Sequence, residues 1–205
     1  MTTEMNYNTM SDDELLKLVI REKTGTTIDS ILNKKQIHEI IFDSSAEEIV
    51  KITGSRKSKA EQLIALQILI KRLMTLSAKS ITKITSPQDI VNYLRPELYG
   101  KNREHFMVIL LDTKNKIIKS EVVSIGTLNA SLVHPREVFC EAIRVCANSV
   151  ILSHNHPSGI ANPSSEDQQI TKRLAESGKL LGINVLDHVI ISDNDYYSFK
   201  ENGEI

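Results

Sequence analysis

The stretch that most constrains this chain is Val150-Ile151-Leu152, then Ser153-His154-Asn155-His156-Pro157-Ser158-Gly159, then Ile160-Ala161-Asn162-Pro163-Ser164-Ser165-Glu166-Asp167. The short apolar run reads as a buried strand, and Pro157 and Gly159 end it in a loop. From Ser164 the apolar spacing becomes helical as far as Leu181, where Gly182 is placed to stop it. A strand, a tight loop and a helix would thus bring His154 and His156 at the strand's end to Asp167 in the helix's first turn. Imidazole nitrogen and carboxylate oxygen are zinc donors, and a catalytic zinc keeps three protein ligands with a fourth position open. His154, His156 and Asp167 are therefore candidate metal ligands, with the Ser164 hydroxyl beside them. Ser164 and Asp167 also fit a second job, since Ser-x-x-Asp ahead of an apolar-periodic run is a helix cap. The two jobs are compatible: a capped first turn would hold Asp167 rigidly toward the histidines.

His154-x-His156 with Ser164 and Asp167 resembles the metal-binding motif of the JAB/MPN (JAMM) metalloproteases. The flanking His154-Asn-His-Pro-Ser-Gly159, Val133-His-Pro-Arg-Glu137 and Leu186-Asp-His188 are similar to the bacterial RadC family, from about Ser86 to the C-terminus. Other zinc classes fit less well. The metallo-β-lactamase pattern wants Asp and His where Ser158 and Gly159 stand, zincins want His-Glu-x-x-His on a helix, and deaminases want a Pro-Cys-x-x-Cys.

The resemblance implies a mixed α+β architecture. A small all-helical, helix-hairpin-helix-like module at 1–80 would precede a JAB/MPN-type α-β-α domain at 82–205, its central mixed sheet covered by helices. It also implies one zinc per chain on His154, His156 and Asp167, and a zinc-dependent metallopeptidase cleaving an amide bond in a protein or peptide substrate. In this motif the base is a glutamate at the start of the first strand. Glu104, directly before His105-Phe-Met-Val-Ile-Leu-Leu111, matches that place, with Glu121 and Glu137 as rivals. Glu137 would sit in a helix's first turn, where a carboxylate needs no further explanation. Glu166 would point about 100° away from Asp167 around the helix. Ser164 would take the family's role of donor to the developing oxyanion. Relatives that cleave ubiquitin carry insertions around the site, and the short spacings here leave little room for them. Asn155 alternates away from its neighbours and reads as structural. His188, beside Asp187, is either an orienting group or a satisfied core histidine; His134 is similarly open, and His105 and His38 read as ordinary.

At 205 residues the chain is long enough for one or two domains, and 40% apolar residues with a net charge of −1 describe a globular protein. No apolar run approaches the ~20 residues of a membrane span, and Met1 to Met10 is polar rather than signal-like. A cytoplasmic protein without membrane contact is expected. The two cysteines, Cys140 and Cys146, fall six residues apart on an expected helix, about 9 Å along its axis and on different faces, so they cannot bridge. They read as buried thiols of a reducing compartment.

Charge divides the first eighty residues. Residues 1–50 carry five Lys/Arg against ten Asp/Glu, whereas residues 51–79 carry seven against one. Capping boxes at Ser11–Glu14 and Ser45–Glu48, a helical stretch at 29–41 and a long apolar helix from about Ser58 to Leu76 make this part all-helical. Ile52-Thr-Gly54-Ser-Arg56-Lys-Ser-Lys-Ala60 resembles the hairpin that holds a DNA phosphate in helix-hairpin-helix modules, with Arg56 where the second glycine belongs. The resemblance also carries the RadC family's association with DNA repair. A second reading is thus an accessory or DNA-binding protein whose zinc domain is a platform without proteolysis, with weak nucleic-acid binding through 51–79. Further on, Ser77 to Ser86 reads as a linker and Ser86-Pro87 as a helix start. Phe106 to Leu111 with Ile117 to Ile125 reads as a hairpin, Pro135 to Ala147 as a helix, Ile183 to Ile191 as a strand, and Tyr196 to Phe199 as a short final segment.

Overall fold

Phe106-Met107-Val108-Ile109-Leu110-Leu111 is apolar at every position because its strand is covered on both faces, so neither set of alternating side chains meets water. The computed structural model describes residues 45–53, 57–98, 100–126, 133–192 and 195–205, together with Met10 and Leu15. The chain divides into two compact units, Met1–Leu73 and Met74–Ile205.

In the first, Ser45 caps α1 (Ala46–Thr53) reciprocally: the Ser45 amide donates to Glu48 at 2.8 Å and the Glu48 amide to Ser45 Oγ at 3.3 Å. The long helix α2 spans Lys57–Lys79. The helices expected from Ser11 and over 29–41, and the Gly54–Arg56 turn of the expected hairpin, lie outside the described residues.

The second unit is built on one five-stranded mixed sheet. Its strands are β1 (His105–Leu111), β2 (Ile117–Ile125), β3 (Ser149–Asn155), β4 (Asn184–Ile191) and β5 (Tyr196–Ser198), in the spatial order β2-β1-β3-β4-β5. Only β3 and β4 pair in parallel. They need a crossover connection, and the helix α5 (Ser165–Leu181) supplies it. The other helices here are α3 (Pro87–Leu98) and α4 (Pro135–Arg144).

The two faces of the sheet bury separate cores. Phe106, Val108, Leu110, Val150 and Leu152 pack with Val138, Phe139 and Ala142 of α4 and Ile170 and Leu174 of α5. Met107, Ile109, Leu111, Ile151, Val189 and Ile191 pack with Ile90, Val91, Leu94 and Leu98 of α3. Each fully buried leucine in these layers contributes about 1.5–3 kcal/mol. The result is the expected α-β-α layering over a mixed sheet.

Three local expectations are corrected. Ser77 to Ser86 is not all linker: α2 continues to Lys79, and the following segment bonds to the β1–β2 turn through Ile84 N to Asn115 O (3.0 Å) and Ile117 N to Thr82 O (3.0 Å). Helix α4 ends at Arg144 rather than Ala147, because Cys146 turns to φ 54°. The cysteines are exposed rather than buried: Cys140 lies off the Val138–Phe139–Ala142 stripe, and Cys146 sits in the turn beyond the helix. Among the described residues, no helix is long and apolar enough to cross a membrane.

Candidate metal centre

Strand β3 is buried along its whole length, and its alternation decides which way each site residue points. Val150 and Leu152 face the α4–α5 layer, so His154 continues that face and meets α5. Asn155 turns to the other side. At the strand's end His156 is held by its own amide, which donates to Ile191 O at 2.9 Å. Helix α5 then starts on Ser164, whose hydroxyl accepts from the Asp167 amide at 3.2 Å while Asp167 Oδ2 accepts from the Ser164 amide at 2.8 Å. The expected helix cap is present, and the capped turn also aims the Asp167 carboxylate at the histidines.

The three candidate ligands converge. His154, His156 and Asp167 each offer one ligand atom, and these atoms all lie within 4.8 Å of one another. His154 Nε2 is 3.0 Å from His156 Nε2 and 3.2 Å from Asp167 Oδ1, and His156 Nε2 is 3.5 Å from Asp167 Oδ2. His156 Nδ1 lies 2.8 Å from the Ile160 carbonyl, which can only accept; this ring therefore donates from Nδ1 and turns Nε2 inward. Two imidazole nitrogens and a carboxylate oxygen packed this closely need positive charge among them, which a proton or a bound cation supplies. The donor set is nitrogen and oxygen without sulfur, and it fits zinc.

The electrostatics follow from that crowding. Burial alone would raise the Asp167 carboxyl, yet the bonds to His154, His156 and Ser164 hold it well below the usual carboxylate range. His154 is completely buried, which pushes its imidazole below the ordinary value despite Asp167. Burial also lowers His156, but the Asp167 carboxylate and the Ile160 carbonyl outweigh it and the net shift is upward.

Glu104, half-buried, stands one residue before β1. With Asn102, Arg103, Gly126, Pro157 and Ser158 it lines an open groove beside the cluster. Its charge reaches both imidazoles, favouring their protonated forms. The rival carboxylates lie elsewhere: Glu121 on β2 pairs with Lys119, exposed Glu137 pairs with Arg136 at 3.3 Å, and exposed Glu166 accepts from Ser165 Oγ at 2.9 Å. Ser164 is at the cluster, with its hydroxyl donating to Asp167 Oδ2 at 2.6 Å.

Asn155, His188 and Thr171 have contacts that the sequence did not reveal. Asn155 Oδ1 accepts from the His105 amide at 2.8 Å, and its Nδ2 donates to Arg103 O at 3.1 Å and Lys101 O at 3.4 Å. It thus clamps the backbone on both sides of Glu104. His188 Nε2 is 2.9 Å from His154 Nδ1, and His188 Nδ1 is 2.5 Å from Thr171 Oγ1. Burial drives His188 far below the ordinary imidazole value. Thr171 lies four residues after Asp167 on the same helix face, a spacing that could have flagged it. His134 caps α4, its Nδ1 accepting from the Arg136 amide at 3.1 Å. His105 Nδ1 faces Arg103 O at 2.9 Å, and His38 lies outside the described residues.

A family model for the RadC-like JAB domain matches residues 84–204. The UPF0758 protein of Caldanaerobacter subterraneus subsp. tengcongensis is 44% identical over 199 residues, spanning 95% of this chain and 85% of its own length. The UPF0758 protein of Clostridium acetobutylicum is 45% identical over 201 residues, spanning 95% of this chain and 87% of its own. That of Methanosarcina mazei is 43% identical over 199 residues, with 95% and 86% covered.

Proposed function

The chain belongs to the RadC-like JAB domain family, and on that footing we propose a zinc-dependent metallopeptidase that hydrolyses an amide bond in a protein or peptide. The observation that carries this reading is the convergence of His154, His156 and Asp167 within 4.8 Å, beside an open groove with Glu104 on its wall. His154, His156 and Asp167 would hold one zinc per chain. Bound there, zinc would supply Lewis-acid chemistry, lowering a water's pKa toward ~7 and polarising an amide carbonyl.

The chain's own residues supply the rest. Glu104, on the groove wall, takes the nucleophile's proton and returns it to the leaving amine. Ser164, exposed at the N-cap of α5, donates to the charge developing on the substrate oxygen. That role requires its hydroxyl proton to turn about the Cβ–Oγ bond away from Asp167 Oδ2, which leaves the oxygen in place to cap the helix. Asn155 keeps the Glu104 segment against β3, so base and ligands share one frame.

The test uses zinc-loaded protein incubated with a peptide library from a digested proteome, new termini being counted by mass spectrometry. Wild type should cleave, a chelator should stop it, and Glu104→Gln should keep its zinc while cleaving at least about 100-fold more slowly. Undiminished cleavage by Glu104→Gln would remove that residue from the mechanism. A zinc-loaded wild type that cleaves nothing would favour the platform reading.

A further inference from the structure

The buried contacts behind His154 fix where every proton lies. Thr171 Oγ1 is 2.6 Å from the Asp167 carbonyl oxygen and 2.5 Å from His188 Nδ1. The carbonyl can only accept, so the single hydroxyl proton of Thr171 points to it, and Thr171 Oγ1 is left to accept from His188 Nδ1–H. His188 then presents the lone pair of Nε2 to His154 Nδ1 at 2.9 Å, and His154 must donate from Nδ1. The remaining lone pair of His154, on Nε2, faces Asp167 Oδ1 at 3.2 Å and His156 Nε2 at 3.0 Å. The donations thus run from His154 through His188 and Thr171 to the backbone carbonyl of Asp167, and leave no proton on the side of His154 that faces the Asp167 carboxylate.

We propose that His188, held by Thr171, is a positioning residue that locks His154 in the Nδ1–H tautomer, with its Nε2 lone pair turned to the centre of the cluster. This rests on the reading that His154 holds a metal. The lock works against a competing arrangement. An Nε2–H on His154 would donate to the adjacent Asp167 carboxylate, a charge-assisted bond that would occupy both ligand atoms. His188 prevents this by offering His154 Nδ1 an acceptor that no water can replace, since both rings are fully buried. The orientation of His188 is fixed as well. Its ring stacks on Phe199 at 5.0 Å with 9° between planes, and meets the edge of Phe106 at 5.5 Å. A histidine that merely filled the core would need neither the tautomer nor Thr171.

The test reads the tautomer directly in the metal-free full chain, by long-range ¹H–¹⁵N correlation spectra of ¹⁵N-labelled histidines. Thr171→Val removes the acceptor and nearly keeps the shape; Thr171→Ser keeps the hydroxyl. Wild type and Thr171→Ser should show His154 and His188 both protonated on Nδ1, with the same zinc affinity by chelator competition. Thr171→Val should shift His154 toward Nε2–H and weaken zinc binding by about 10- to 100-fold, the usual scale for losing an outer hydrogen bond to a ligand. A wild-type His154 protonated on Nε2 would overturn the proposal, whatever the variants do. So would a Thr171→Val protein that keeps wild-type zinc affinity. A wild type with the expected tautomers but no zinc binding would instead sink the metallopeptidase reading and leave the lock standing.

Discussion

Replacing Asn155 by alanine separates its clamp from the histidines on either side of it. Asn155 is only 5% exposed, and its side chain makes two well-formed bonds, 2.8 Å from the His105 amide and 3.1 Å to Arg103 O, plus a longer one of 3.4 Å to Lys101 O. Each good bond is worth about 0.5–1.5 kcal/mol net, and orphaning the part-buried His105 amide costs about 1–3 kcal/mol. A loss of about 2–3 kcal/mol is expected, on the order of 5–10 °C in Tm for a chain of this size. The damage should be local. Amide exchange at His105 should accelerate roughly 30- to 150-fold, the same energy read as an opening constant, whereas zinc content should stay at the wild-type level. His154 and His156 point away from the clamp and keep their own contacts. Asn155→Asp keeps the acceptor for His105 but sets an oxygen against the Arg103 carbonyl, so it should not rescue. Exchange at His105 within about threefold of wild type, with an unchanged Tm, would mean that Asn155 does not hold this segment.

Gly178→Ala pits helix propensity against packing. Alanine should gain about 1 kcal/mol in a helix interior, but its Cβ would lie 2.4 Å from the Ile183 carbonyl oxygen and 3.0 Å from Phe139. Net destabilisation of about 1–2 kcal/mol is expected; a higher Tm in thermal unfolding would contradict it. For the basic segment 51–79, weak sequence-independent DNA binding is expected. Its log–log salt slope should become shallower by about 2–3 in an Arg56/Lys57/Lys59 triple-alanine variant, measured by fluorescence titration. Equal slopes would leave the segment a packing module.

The parts of this fold that could be read from sequence are those whose cause is local. The β1–β2 hairpin follows from two apolar runs about one turn, and α5 is bracketed by Ser164 and Gly182. The His154–His156–Asp167 grouping is marked by local signals, a strand ended by Pro157 and Gly159 and a helix start capped by Ser164. What stayed hidden depends on strand register. Asn155 reaches residues 50 and 52 positions away, and His188 meets His154 across 34 positions because β4 packs parallel to β3. The cysteines show a different failure: a helical pattern ran on to Ala147, but the chain turns at Cys146 with φ 54° and leaves the thiol in solvent.

If His154, His156 and Asp167 form a metal site, zinc content per chain will show it. After zinc loading and dialysis, wild type should retain about one zinc per chain. His156→Ala removes one of three ligands at a half-buried position and leaves two, which rarely suffice; it should retain less than about a tenth as much with its circular dichroism unchanged. Equal zinc in both proteins, or none in a folded wild type, would mean that these three residues are not a metal site.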